Sequence, residues 1–486
     1  MTQSSAIRLR FAPSPTGEVH LGSARTALYN YLLAQKLGGD FLFRVEDTDQ
    51  TRYVPGAMDR FFADLHWLGL TWAEGPDLGG PYAPYIQSER TALYREVADQ
   101  LIRDGHAYRC WCRPERLAEM REAQMAAKLA PKYDRHCLNL TESEQRENKD
   151  TPFVVRLKVP EGTTIFTDSI RGEVRIENSV IDDQVLLKSD GFPTYHLAVV
   201  VDDHAMQISH VVRGEEWLPS TPKHLMLYAA LGWQPPVYAH LPLLLATDRK
   251  KLSKRIHGAA VWIATYREQG YLPEALVNYL ALLGWNPGSE REFFTLSELA
   301  EEFSLERIHK AGAIFDPEKL RFFNAHYLRQ LSDEEILRRL RDGNFLGLGL
   351  NDLSDEQLHK LIAIHRDRMA TLGEFTGLVA PLLELAEYPT EILVFRKSDV
   401  ERTRKGLELA RAALAELADE DWADKEKIQT VLSEIVAKNS LTNGDVFWPV
   451  RVALSGQEAS AAPAELLWAL GPVESMKRLE LAIEKL

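Results

Sequence analysis

At the start of the chain, apolar and polar positions follow the pattern of a strand, a loop and a helix. A short apolar strand is predicted over residues 7–11, and a segment rich in proline and glycine follows it. From Leu21 to Leu32, apolar residues recur every three or four positions, as they do along the buried face of a helix. Strand, loop and helix in this order indicate the entry to a nucleotide-binding α/β unit.

Similar patterns continue through the next two hundred residues. Helices are predicted over residues 55–68 and 88–104, and strands over 41–46 and 208–212, with short alternating strands between 153 and 187. The β-branched run Val199–Val201 predicts a buried parallel strand, and Asp202, Asp203 and His204 are interpreted as loop residues at its end. We therefore expect one α/β sheet that is interrupted by an insertion of about 100 residues and then completed.

The remainder of the chain reads as helix. A helix is predicted over 272–283, and from residue 331 onward only helical patterns occur, over 334–340, 355–366, 372–384, 402–417, 424–438 and 463–470. No alternating pattern typical of a β-barrel appears there. The chain is thus predicted to have an α/β part followed by an all-helical part.

Composition narrows the class of protein. With 486 residues the chain should form several domains, since single cores rarely exceed about 250–300 residues. Its net charge of −14 argues against a general nucleic-acid coat, yet it permits a local basic surface. Three cysteines favour the reducing cytoplasm over a disulfide framework, and no apolar run approaches the ~20 residues of a membrane span. We expect a cytoplasmic protein without membrane association.

Two polar motifs carry candidate chemistry. His20 lies between Gly17 and Gly22 at the predicted helix start, where free backbone N–H groups suit a phosphate. Far downstream, Lys250-Lys251-Leu252-Ser253-Lys254-Arg255 follows an apolar run. Taken singly, the first is explained as a loop histidine and the second as a solvated basic turn. Their occurrence together, in this order, favours a nucleotide site.

Together the motifs resemble the two signature sequences of class I aminoacyl-tRNA synthetases. The longer match, Ala-Pro-Ser-Pro-Thr-Gly with His-Leu-Gly and then Arg-Val-Glu-Asp-Thr-Asp, is similar to bacterial glutamyl-tRNA synthetases. This resemblance is specific to about residue 330 and weaker beyond. It implies a monomer that joins L-glutamate to ATP, with Mg²⁺, and transfers glutamate from the adenylate to the 3′ end of tRNA(Glu).

The resemblance also implies a division of the chain. A Rossmann-like catalytic domain with an insertion would precede an all-helical anticodon-binding region. The implied segments are 1–88 for the first catalytic half, 89–196 for the acceptor-binding insertion, 197–248 for the second catalytic half, 249–330 for the stem-contact region with the Lys-Leu-Ser-Lys-Arg loop, and 331–486 for the anticodon-binding region.

Residue roles follow from the same resemblance. The implied catalytic residues are His20, Lys251, Ser253 and Lys254. The implied glutamate-binding residues are Arg10, Ser14, Glu46, Tyr195 and Arg213, and the ATP-binding residues are Pro13, Gly17, His20, Gly22, Glu216, Trp217 and Lys254. Arg368 matches an arginine that senses the third anticodon base in some relatives. Paired arginines suit a substrate with two carboxylates, because bidentate donors offset the cost of desolvation.

The cysteines resemble a zinc-knuckle insertion found in some of these synthetases. Cys110 and Cys112 precede Cys137, and three ligands of a zinc site are thereby supplied. For the fourth, Tyr133 matches the Tyr-x-x-x-Cys spacing of certain relatives and His136 is an alternative, whereas Asn139 is a poor zinc ligand. A metal-free remnant with small buried thiols is the competing interpretation.

Three other functions stay open at this point. A glutaminyl-tRNA synthetase is disfavoured by the Ser-Pro-Thr-Gly loop and by the helical C-terminal half. A nucleotidyltransferase that modifies tRNA or a small acid would lack such a half. A non-catalytic tRNA-binding protein is disfavoured by the intact His20, Lys251 and Lys254.

Overall fold

The computed structural model describes residues 6–148, 150–347 and 349–486. The described chain forms two compact units: the first runs to Thr265 and includes Leu276–Pro317, and the second comprises Tyr266–Ala275 and Glu318–Leu486. Among the described helices, none combines the length and the apolar character that crossing a membrane requires.

In the part of the chain that the structure describes, strands lie only before residue 315. They are β1 (Arg8–Phe11), β2 (Asp40–Phe43), β3 (Ala107–Cys110), β4 (Val154–Leu157), β5 (Thr163–Asp168), β6 (Gly172–Glu177), β7 (Val185–Leu187), β8 (His210–Gly214), β9 (Val237–Leu241), β10 (Leu244–Leu245) and β11 (Ala313–Ile314). The first helices are α1 (Leu21–Leu37), α2 (Ala57–Trp67), α3 (Thr91–Arg103), α4 (Pro114–Ala126), α5 (Glu142–Glu147), α6 (Tyr195–Ala205), α7 (Thr221–Leu231), α8 (Lys254–His257), α9 (Ile263–Glu268), α10 (Pro273–Leu282) and α11 (Leu296–Glu302).

The central strands of the first unit are parallel. β1 pairs with β2, and β8 pairs with β9, in both cases in parallel. The N–H of Ser209 donates to the carbonyl of Arg8 at 3.0 Å, which brings the start of β8 beside β1. β9 also meets β5, which forms an antiparallel hairpin with β6. The carboxyl ends of β1, β2, β8 and β9 therefore lie at one edge, the usual position of a ligand site in an α/β sheet.

The insertion has its own sheet, in which β3, β4 and β7 pair in the order β3-β4-β7. The predicted strands between residues 153 and 187 are confirmed, and so is the α/β class of this part of the chain. Helix α1 ends at Gly38, which has a φ of 64° and so adopts the left-handed conformation that typically ends a helix.

The predicted strand at Val199–Val201 is wrong, because these residues lie in the middle of α6. All three are about 1% exposed and belong to a core shared with α3 and α7. A short apolar run buried on every side looks the same in a strand and in a helix, so its periodicity cannot separate the two. The helix places Asp202 and Asp203 inside the domain rather than in a loop.

The second unit is helical throughout its described residues. Its helices are α12 (Pro317–Gln330), α13 (Asp333–Asp342), α14 (Asp355–His365), α15 (Phe375–Leu383), α16 (Val400–Ala415), α17 (Lys425–Lys438), α18 (Asn443–Ser455) and α19 (Pro463–Lys485). The prediction missed α18, which contains Pro449, and ended α19 too early. The axis of α19 breaks at Gly471, which has a φ of 74°, but the helix resumes directly afterwards.

Arg478 on α19 joins two helix ends in this core. Its side chain is 1% exposed, and its guanidinium donates to the carbonyl of Leu382 at 2.7 Å and to that of Leu454 at 2.6 Å. These carbonyls belong to the last turns of α15 and α18, where the C=O groups have no N–H partner within their own helix. Its Nε donates to Glu474 at 2.7 Å.

We expect Arg478→Met to lower the free energy of unfolding by about 3 kcal/mol, because it leaves buried helix-end carbonyls without donors. Urea denaturation followed by circular dichroism measures the loss. Lys477→Met is the matched control, since Lys477 is the neighbouring residue with a side chain 68% exposed. Equal effects of the two substitutions would contradict this role for Arg478.

Candidate active site

A cleft of about 630 Å³ opens in the first unit at the carboxyl ends of β1 and β8 and at the start of α1. Side chains that are far apart in sequence meet there. Among its lining residues are these predicted ones: Arg10, Pro13, Ser14, His20, Gly22, Glu46, Tyr195, Arg213, Glu216, Trp217, Lys251, Ser253 and Lys254. Gly17, with a φ of 138°, shapes the loop but does not line the cleft.

His20 begins helix α1 and has a defined protonation state. Its Nδ1 accepts a hydrogen bond from the backbone N–H of Gly22 at 2.9 Å, in the manner of a helix cap. Burial, together with the charge of Lys251, lowers the pKa of His20 to about 4. The neutral ring therefore carries its proton on Nε2, because Nδ1 is the acceptor. That N–H is available to donate to a ligand in the cleft.

Asp203 on α6 binds two arginines of the sheet edge at once. Its carboxylate accepts from Arg10 Nε at 3.0 Å and from Arg44 Nη1 at 2.7 Å. Burial alone would raise the pKa of Asp203, but the two guanidinium groups lower it overall. Arg44, fully buried, also donates to Glu46 at 3.0 Å. Arg10 is predicted to bind glutamate, but its positive charge is already neutralised by Asp203.

The neighbouring Asp202 anchors the other face of α6. It accepts from Arg90 Nε at 2.7 Å, from Gln87 Nε2 at 2.8 Å and from the hydroxyl of Tyr94 at 2.8 Å. The interpretation of residues 202–204 as loop residues is wrong: both aspartates are buried in a helix, and His204 stacks on Trp233 with ring centroids 3.8 Å apart. The acidic pair beside an apolar run is a sequence signal for buried carboxylates with cationic partners.

Arg213 differs from the buried Arg10 and Arg44, because its hydrogen-bond partners are all neutral. Its guanidinium donates to His240 Nε2 at 3.0 Å, to the Tyr195 hydroxyl at 3.0 Å and to Thr221 Oγ1 at 2.9 Å. It also lies 3.3 Å from His224 Nδ1. Burial, reinforced by the charge of Arg213, lowers the pKa of His224, so that ring is neutral as well.

The described part of the chain provides no carboxylate within ion-pairing distance of Arg213. The residue is only 5% exposed and lines the cleft. A buried guanidinium without an anionic partner is costly, and an anionic ligand would remove that cost. This end of the cleft is therefore built for an anion.

The lysine motif borders the same cleft. Leu252 is buried and its N–H donates to the carbonyl of Leu244 at 2.9 Å, which holds the loop against β10. Lys250 pairs with Asp248 at 3.2 Å, whereas Lys251 and Lys254 are exposed and have no ion pair among the described residues. Two ammonium groups without an ion pair among the described residues therefore line the same cleft as His20, and their charge suits a phosphate chain.

The three cysteines meet in the insertion, away from this cleft. Their sulfur atoms all lie within 4.8 Å of one another, and the Tyr133 hydroxyl lies 3.4 Å from Cys110 Sγ and 3.3 Å from Cys112 Sγ. The exposed His136 does not join this group. Tetrahedral Zn–S bonds of ~2.3 Å place sulfurs about 3.8 Å apart, so the donor set fits zinc in spacing and chemistry.

Arg368 lies in the second unit and is exposed. Its guanidinium donates to the carbonyl of Ser460. Burial and the charge of Arg368 lower the pKa of Arg451, which shows that the two cations are neighbours. The patch that they form is positive, as expected for contact with a polyanion.

Known proteins are similar to the chain over its whole length. A family model described as "tRNA synthetases class I (E and Q), catalytic domain" matches residues 6–322, and one described as "Anticodon binding domain" matches 327–483. A "Glutamate–tRNA ligase" of Dehalococcoides mccartyi is 45% identical, with 99% of this chain and 98% of the relative covered. That of Clostridium kluyveri is 43% identical at the same coverage.

Solved structures agree with these matches. A glutamate tRNA ligase from Elizabethkingia meningosepticum, crystallised "in complex with its amino acid", superposes with a TM-score of 0.89 at 37% identity. The match covers 99% of each chain. Glutamate-tRNA synthetase from Elizabethkingia anophelis gives the same TM-score and identity.

The protonation state of His20 gives a prediction for NMR titration of the imidazole signals. We expect the His20 ring to titrate at about pH 4, and its pKa to rise in Lys251→Met because a nearby positive charge is removed. Lys250→Met is the matched control, since its charge is already paired with Asp248. The absence of the titrating signal from His20→Asn identifies it. A wild-type pKa near 6.5 would contradict the effect of burial and of the Lys251 charge on this ring.

Proposed function

This chain belongs to the E and Q family of class I tRNA synthetases, and we propose that it works as a glutamate–tRNA ligase. It activates L-glutamate with ATP to glutamyl-adenylate and diphosphate, and then transfers glutamate to the 3′ end of tRNA(Glu), releasing AMP. The observation that carries the specificity is Arg213, a buried cation of the cleft whose hydrogen-bond partners are all neutral.

Arg213 binds the side-chain carboxylate of glutamate. The α-carboxylate has to reach the α-phosphate of ATP, whose binding groups surround His20 at the start of α1. The buried guanidinium is therefore left for the other carboxylate, with which it forms charge-assisted hydrogen bonds. Glutamine would bring a neutral amide and leave Arg213 without a counter-charge, which disfavours the glutaminyl alternative. Glu46 lies at the cleft wall, where one of its carboxylate oxygens accepts a hydrogen bond from Arg44. This carboxylate receives the substrate ammonium.

Activation needs no general base, since the substrate carboxylate is already a nucleophile. The protein holds the reactants in line and stabilises the charge that develops on the phosphate. His20 donates from Nε2, the N-terminus of α1 offers backbone N–H groups, and Lys251 and Lys254 supply mobile positive charge. The hydroxyl of Ser253 donates a hydrogen bond to a phosphate oxygen.

The remaining ATP contacts belong to the loop and to the turn after β8. Pro13 and Gly22 border the phosphate region, while Glu216 and Trp217 face the adenosine; Ser14 of the same loop contacts glutamate. The ring of Trp217 lies 4.3 Å from that of Tyr195, centroid to centroid, so adenosine and amino-acid subsites adjoin. ATP enters as its Mg²⁺ complex, in which the ion neutralises phosphate charge and is held mainly by the phosphates.

The second half-reaction brings tRNA to the adenylate. Residues 89–196 receive the acceptor end and residues 249–330 contact the stem, while the helices of 331–486 bind the anticodon. Arg368 contacts the third anticodon base from the positive patch that it forms with Arg451. Zinc in the insertion is held by Cys110, Cys112, Tyr133 and Cys137, and it supplies folding energy rather than chemistry.

Charging of purified tRNA tests the function directly. We expect labelled glutamate and ATP to charge tRNA(Glu) and to leave tRNA(Gln) uncharged, because Arg368 reads the third base. Arg368→Gln should relax this preference, while Lys360→Gln, a cation on α14 paired with Glu356, should not. Charging of neither tRNA, with ATP and glutamate still bound, would overturn the ligase assignment.

Metal analysis tests the zinc proposal. We expect about one zinc per chain in protein purified without chelator, and loss of zinc together with a lower melting temperature in Cys137→Ser. His136→Ala is the control that should retain the metal, since that imidazole lies outside the sulfur group. The zinc site would be refuted if the wild-type protein contained no zinc and melted at the same temperature as Cys137→Ser.

A further inference from the structure

We propose that Asp168 and His240 are positioning residues that hold the Arg213 guanidinium in the orientation that receives glutamate. Neither lines the cleft: Asp168 ends β5 and is 1% exposed, and His240 lies on β9 and is fully buried. The inference rests on the proposed function and extends it to two residues behind the substrate pocket.

The three residues form one chain of hydrogen bonds across the sheet. Arg213 on β8 is the register partner of His240 on β9, and its Nε donates to His240 Nε2 at 3.0 Å. On the opposite side of the ring, His240 Nδ1 lies 2.6 Å from Asp168 Oδ2. A guanidinium can only donate, so Nε2 must be the acceptor and the proton of the neutral ring must be on Nδ1.

Charge states agree with this direction of donation. Burial lowers the pKa of His240 although Asp168 acts against it, so the ring is neutral. Burial alone would raise the pKa of Asp168, but the hydrogen bond from His240 lowers it overall, so that group is a carboxylate. The carboxylate thereby selects the tautomer that Arg213 needs, without being a direct counter-ion of Arg213.

Asp168 itself cannot turn. Its other oxygen, Oδ1, accepts from the backbone N–H groups of Ile170 at 3.0 Å and Arg171 at 2.8 Å. In Asp168→Asn, these two donors keep the amide oxygen in the place of Oδ1. The amide NH₂ must then face His240, which forces the ring proton onto Nε2, where it opposes the N–H of Arg213.

This reversal separates the proposal from a simple effect of charge. Removing a nearby negative charge would strengthen the attraction of Arg213 for a carboxylate and so lower KM for glutamate. Reversing the tautomer of His240 instead breaks its contact with Arg213 and so raises KM for glutamate. A merely structural role for the dyad would change KM for ATP and thermal stability along with KM for glutamate.

His240 offers a matched pair of substitutions. The side-chain oxygen of His240→Gln can replace Nε2 as the acceptor for Arg213. The amide of His240→Asn reaches only the position of Nδ1, so it keeps the bond to Asp168 and leaves Arg213 Nε without an acceptor. Both remove an imidazole from the same buried position, and only the second is expected to release the guanidinium.

The test is glutamate-dependent exchange of pyrophosphate into ATP, measured with tRNA(Glu) present. We expect Asp168→Asn and His240→Asn to raise KM for glutamate about tenfold or more, with KM for ATP unchanged, and His240→Gln to stay near wild type. An unchanged or lower KM in Asp168→Asn, or equal effects of the two His240 variants, would overturn the inference.

Two further outcomes remain distinguishable. If Asp168→Asn does not fold, the His240 pair decides alone, because both of its variants leave the Asp168 carboxylate in place. If the wild-type protein activates no glutamate, the proposed function fails. A wild-type protein that activates glutamate, with variants that behave alike, leaves the function standing and removes only the positioning role.

Discussion

The double ion pair of Asp203 is the constraint on which the catalytic unit depends. One carboxylate from α6 binds Arg10 at the end of β1 and Arg44 just after β2, all of them buried. Two guanidinium groups inside the domain would be prohibitively costly without that partner. The helix, the sheet edge and the floor of the cleft are therefore specified together, and Asp202 ties the same helix to Arg90 on its other side.

The positively charged side chains of the cleft differ in whether the protein supplies their counter-charge. The protein neutralises Arg10 and Arg44 itself, whereas Arg213 is surrounded by His240, Tyr195 and Thr221, which are all neutral donors or acceptors. In the lysine motif, Lys251 and Lys254 have no ion pair among the described residues. The Arg213 guanidinium thus suits a carboxylate and the two lysines suit a phosphate chain, while His20 adds a neutral donor.

The sequence predicted those elements whose signal is local. Periodicity and turn residues account for the strand and loop before α1, the strands of the insertion and most helices of the second unit. It failed where burial on all sides removed periodicity, as at Val199, and where Pro449 sits inside α18. The residues that line the cleft came from motifs, but their charge partners did not, because Asp203 and Arg44 are 159 positions apart. No local pattern encodes such a pair.

The Arg213 guanidinium, which has no anionic partner among the described residues, selects a substrate with a carboxylate side chain. The most direct measurement is kcat/KM for glutamate and for glutamine in ATP–pyrophosphate exchange with tRNA(Glu) present. We predict a preference for glutamate of at least ~10³-fold, since glutamine leaves a buried charge unpaired. Use of glutamine within about tenfold of glutamate would contradict this role of Arg213.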